Sequence, residues 1–155
     1  MLSSLKAFFD SVASPSSAAE PPQRQRHALH LAAAVLLVEV MRAQPDIDPA
    51  EYQAVIAALQ RKFALGDGEV AELVEAARAE ARKANDFFHF TNRLNDHFTQ
   101  PQKVALVEAM WQVAYADAHL DAGENHVISK VAGLLHVTHG EYIAAKLRAK
   151  EDARL

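Results

Sequence analysis

From His27 onward, apolar side chains recur every three or four positions, the period of helices that bury one face. Residues 28–43 are apolar on nearly every face, which predicts a helix enclosed by others. Residues 49–63 carry Tyr52, Val55, Ile56, Leu59 and Phe63 on one stripe, and 68–84 repeat the pattern with Val70, Leu73, Val74, Ala77 and Ala81. A short aromatic helix is predicted over 87–97, with Phe87, Phe88, Phe90 and Leu94. A second almost wholly apolar helix follows over 101–118, then an amphipathic one over 122–135. The last runs from about Glu141 to Ala149 and ends among Lys146, Arg148 and Lys150, cations that suit a helix C-terminus. No stretch alternates as a half-buried strand would. The prediction is an all-α fold of about seven helices.

Ahead of this domain, residues 1–12 place Leu2, Leu5, Phe8, Phe9 and Val12 at helical spacing, and 13–26 read as a flexible Ser/Ala/Pro linker. The domain itself spans 27–150 and holds an internal repeat, with one half at 28–85 and the other at 101–150. Residues 36–56 align with 109–129 without a gap: Ala43 falls on Ala116, Asp48 on Asp121, Glu51 on Glu124 and Val55 on Ile128. After a one-residue slip, 65–70 fall on 137–142. Each half is expected to be a buried helix, an acidic turn, an amphipathic helix and a third helix. A pseudo-two-fold bundle with 28–43 and 101–118 at its centre would follow.

Composition narrows the chemistry. The 155 residues include no cysteine, which excludes disulfides, thiolate metal sites and a Cys nucleophile. Twenty acidic against sixteen basic side chains give a net charge of −4, so no global basic field draws nucleic acid. Alanine supplies one residue in five and favours helix. The N-terminus lacks the pattern of a secretory signal, and the longest apolar stretch, Leu31 to Val38, is too short to cross a bilayer. A cytoplasmic protein is expected. The near-zero charge of residues 1–12 argues against a membrane surface as their target, whereas an exposed Phe8/Phe9 pair would favour self-association. No phosphate loop, nucleophile elbow or dinucleotide fingerprint is present, and the histidines lack zincin or di-iron spacing. Phe87, Phe88, Phe90, Trp111 and Tyr115 stand at core spacing and are expected to pack on one another. Nothing in the pattern points to an enzyme.

The acidic turns remain. Asp48 and Asp121 suit helix N-caps, and Glu51 and Glu124 stand three residues on, as in a capping box, with Pro49 at the first helical position. Thr138 and Glu141 form a third box. Capping leaves Asp46, Asp117 and His119 unexplained, and carboxylates converging in a turn repel unless a cation offsets them. Hard oxygen clusters of this kind suit Ca²⁺ or Mg²⁺. The second turn is not a standard EF-hand loop: counting from Asp117, Ala122 takes the glycine position and Ile128 the final glutamate. Two readings stay open, caps alone or caps that also hold a divalent cation. Glu39, inside the first buried helix where the second half has Gln112, must pair with a cationic side chain or contribute to the acidic site.

At these turns the sequence resembles the TerB family of tellurite-resistance-associated helical proteins, and with it the N-terminal domain of the DjlA co-chaperone. The likeness rests on LLVEVMRAQPDIDPAEY and on LVEAMWQVAYADAHLDAGENHVISKVAGLLHVTHGEY, and covers about residues 27–148. Gln44 stands where such proteins commonly have the Asp of an Ala-Asp pair, and Ala118 where a glycine is usual. The resemblance implies an all-helical, non-enzymatic module with acidic clusters, divalent-cation binding and partners in a stress response. Its cation site would comprise Asp46, Asp48, Glu51, Asp117, Asp121 and Glu124, with Glu39 as a further candidate. The alternative is a structural adaptor whose N-terminal helix docks on a partner while the turns act only as caps.

Overall fold

The computed structural model describes residues 22–43, 49–83, 86–116 and 122–153. Among them the chain forms seven helices and no strand: α1 (Pro22–Arg42), α2 (Pro49–Phe63), α3 (Asp67–Lys83), α4 (Phe88–His97), α5 (Gln100–Ala114), α6 (Ala122–Leu134) and α7 (His139–Asp152). The expected helix over 1–12 lies outside the described residues, as does 13–21 of the expected linker. The other part of that linker is corrected. Residues 22–26 are already helical, because Pro22 suits a first helical position and the Gln and Arg residues after it are good helix formers. None of the described helices is long and apolar enough to cross a membrane.

α1 is the centre. Every residue from Leu31 to Val38 is buried, and so are Val40 and Met41, because α1 packs against α2, α3, α4, α5 and α6. α5 is the second enclosed helix, with Leu106, Val107, Met110, Trp111 and Val113 fully buried, and it packs most extensively on α7. It is shorter than the periodicity predicts. α5 ends at Ala114, with Tyr115 as its cap and its amide bonded back to Trp111 O.

α5 also begins one residue earlier than predicted, at a capping box. The Thr99 side chain accepts from the Gln102 amide and the Gln102 side chain accepts from the Thr99 amide. Thr138 and Glu141 form the expected reciprocal pair at α7. Two amide side chains lock the ends together. Asn95 donates to Leu134 O at 2.8 Å, and Gln100 donates to His136 O and to Glu141 Oε1.

Two residues other than glycine adopt a left-handed backbone, Ala64 (φ 53°) and His136 (φ 60°). Ala64 follows the end of α2, and His136 follows the end of α6 in a Schellman closure, with Val137 N bonded to Ala132 O and His136 N to Gly133 O. Both stand just before a short turn into the next helix, one residue ahead of the aligned segments 65–70 and 137–142.

The aromatic expectation is corrected at one position. Trp111 and Tyr115 are buried and stacked at 5.9 Å, and Phe90 is buried, but Phe88 is 56% exposed. It opens α4, whose buried stripe starts at Phe90 and continues through Thr91 and Leu94.

His30 is buried in α1 with its ring 4.0 Å from that of Phe63. Burial, reinforced by His27 and Arg26, lowers its pKa from 6.5 to about 4. The folded value lies below the unfolded one, so the unfolded chain takes up a proton first as the pH falls. Stability from this site is complete above about pH 6.5 and declines towards pH 4, by about 3 kcal/mol in all. Urea unfolding across that range should show the slope, and His30→Leu should flatten it.

Candidate functional site

The candidate site begins where α2 and α6 begin. Pro49 and Ala122 are the first helical residues, so Glu51 and Glu124 both occupy the third helical position. A carboxylate there faces the positive end of the helix dipole and can accept from backbone amides of the first turn. The surroundings of these two set them apart. At α5 and α7 the residues in the same role stay in contact with solvent: Gln102 is exposed and Glu141 is half-buried. Glu51 and Glu124 are both 0% exposed. Capping needs no such burial, and enclosing a carboxylate costs several kcal/mol unless donors or a cation compensate it.

Asp46, Asp48, Asp117, His119 and Asp121 lie outside the described residues. Of the seven predicted site residues, Glu39, Glu51 and Glu124 are therefore the ones the structure places. Among the described residues, no group of three or more His, Asp or Glu side chains comes together as a metal site would require.

Glu39 has a partner of its own. It sits on the one part of α1 between Leu31 and Met41 that reaches the surface, and its Oε1 accepts from Arg42 Nη1 at 2.9 Å. Burial raises its pKa and the neighbouring guanidinium pulls it back. Of the two roles open to Glu39, the ion pair with a cationic neighbour is the one seen. Its counterpart, Gln112 on α5, accepts instead from Arg61 of α2 at 3.2 Å. The second arrangement is not legible locally, since Gln112 and Arg61 are 51 residues apart.

An aromatic and cationic stack joins α5 to α7. The Trp111 ring lies 5.5 Å from Tyr142 and 5.9 Å from Tyr115, with Lys146 Nζ 5.0 Å from its centroid. Burial raises the pKa of both tyrosines. In the sequence Tyr115 is two residues ahead of Asp117.

Two comparisons, with curated proteins and with solved structures, return no match. The family model described as tellurite resistance protein TerB matches residues 30–147. That interval runs from the first buried turn of α1 to the exposed face of α7 and takes in both glutamates and the aromatic stack. The chain belongs to the TerB family.

Proposed function

We propose that this protein is a non-enzymatic TerB-family module of the cytoplasm that holds a divalent cation, Ca²⁺ or Mg²⁺, at its acidic turns and works through protein partners in the response to tellurite or metal stress. The observation that carries the reading is the complete burial of Glu51 and Glu124, each at the third position of a helix that follows an acidic turn. Each glutamate brings a carboxylate to the first turn of its helix, and Asp46 and Asp48 or Asp117 and Asp121, which precede it in the sequence, are the further hard-oxygen donors of this reading. The left-handed residues Ala64 and His136, each one residue ahead of the aligned segments 65–70 and 137–142, support the pairing of the two halves. Tellurite enters only through the description of the family.

Titration with CaCl₂ and then MgCl₂, followed by amide NMR, tests the cation. Saturable shifts are expected at residues 49–52 and 122–125, with a change in the fluorescence of Trp111, the chain's only tryptophan. Glu51→Gln and Glu124→Gln should each weaken binding by about tenfold or more, since each removes a charged ligand. No shift at either turn up to millimolar calcium and magnesium would discard the cation. Deleting residues 1–12 separates the adaptor reading: partner association would then be lost with the metal response unchanged.

A further inference from the structure

The last turn of α2 reads Gln60-Arg61-Lys62, two adjacent cations near a helix C-terminus, where the dipole favours them. Side chains on a helix lean towards its N-terminus, which carries these two away from the terminal carbonyls and over the turn containing Ala58. There they meet a trough. Its floor is built of small side chains, Ala58 from α2 with Ala105 and Ala109 from α5, and the helices leave a hollow of about 180 Å³ between them. A second hollow of about 400 Å³ continues past Gln112 to Tyr115 and Ala116, and is bounded on the far side by Ala149 and Asp152 of α7. Arg61 and Gln112 line both, so the two hollows share a wall.

The charges in this trough are unbalanced. Arg61 spends one guanidinium donor on Gln112 and has no carboxylate within ion-pair distance among the described residues. Lys62 likewise has no ion pair among them. The nearest acid to influence it, Glu108, is already bound to Arg148 on α7. Burial pulls the Lys62 ammonium below the usual lysine range, with Glu108 opposing that shift. Keeping a half-buried ammonium without an ion-pair partner costs desolvation energy that a bound anion would recover. Two positive groups on one wall match a dianion, and a guanidinium offers the paired donors that phosphate oxygens accept. The larger hollow has room for an organic body beyond the anionic head. Asp152 at the far rim disfavours a second negative group there and can accept from a hydroxyl.

We propose that the trough between α2 and α5 is a binding site for a small phosphate-bearing molecule, with Arg61 and Lys62 holding the phosphate and the hollow towards Tyr115 and Asp152 receiving a hydroxylated remainder. The site is separate from the buried glutamates and does not depend on a cation there. Inorganic phosphate and ribose 5-phosphate are the probes, titrated into the full chain without divalent cations and followed by amide NMR. Controls are chloride and succinate at equal ionic strength. Saturable shifts are expected at residues 58–62, 109–116 and 149–152, with ribose 5-phosphate binding at least tenfold tighter than phosphate. Arg61→Gln and Lys62→Gln, both on surface-accessible side chains, should each weaken ribose 5-phosphate by tenfold or more while leaving the spectrum of the rest of the domain in place. Shifts no larger than those of chloride would overturn the proposal. So would binding by either variant as tight as that of the unaltered chain, or a response to succinate with none to phosphate.

Discussion

Trp111→Ala is expected to destabilise the domain by about 3–5 kcal/mol, the usual cost of emptying a fully enclosed aromatic site. Trp111 is the largest fully buried side chain. Its removal strips the contact face from Tyr115 and Tyr142 and leaves Lys146 above a void. All four groups belong to α5, its cap and α7, the pair of helices that pack most extensively, so the cavity opens in a seam that cannot close without moving one of them. Trp111→Phe should behave differently. The indole N–H is buried and meets no acceptor among the described residues. Phenylalanine gives up some area but also relieves that unmet donor, and the net loss should stay within about 1–2 kcal/mol. Denaturant unfolding followed by far-UV circular dichroism measures both. Equal losses for the two variants would refute the asymmetry.

The second large effect concerns adjacent positions on α1. Val38→Asp should cost more than about 4–5 kcal/mol and leave little folded protein, whereas Glu39→Leu should change stability by less than about 1 kcal/mol. Val38 is 0% exposed, and a carboxylate placed there would have neither water nor a cationic neighbour built for it. The Glu39 carboxylate, one residue on, reaches the surface and is held by Arg42. Losing a half-exposed pair of this type removes little, because side-chain ordering and partial solvation have already cancelled most of its attraction. Soluble yield and unfolding midpoints of the two variants, compared in parallel, decide the matter.

This contrast shows where sequence reading ended. A run such as LHLAAAVLLVEV announces an enclosed helix, because only a helix surrounded on all sides has no use for a polar face. It also singles out Glu39 as needing a partner, and the partner lay one turn away, within reach of a local pattern. Gln112 carries the same kind of question in α5, yet its partner is Arg61, placed by the packing of α2 on α5. The trough exists for the same reason. Nothing local says that the alanines of two helices will face one another under a pair of unbalanced cations.

Caps were legible to the extent that their signals are short. Thr138 with Glu141 was read from the spacing, and the box at Thr99 and Gln102 follows the same pattern one residue before the predicted start of α5. The left-handed turns at Ala64 and His136 were hidden, because neither residue is the glycine that usually marks such a turn. Phe88 was misjudged because helical period fixes which residues share a stripe but not where the stripe's burial begins.

The sequence by itself determined the helices, their order and the enclosed character of α1 and α5, since these follow from periodicity and short-range chemistry that act within a few turns of chain. The family was legible through the resemblance of its two acidic-turn stretches. Tertiary structure alone decided that Glu51 and Glu124 are sealed from solvent while Gln102 and Glu141, at the same third helical position, are not. Burial is a property of what lies opposite a side chain, and what lies opposite is set by helices far away along the chain.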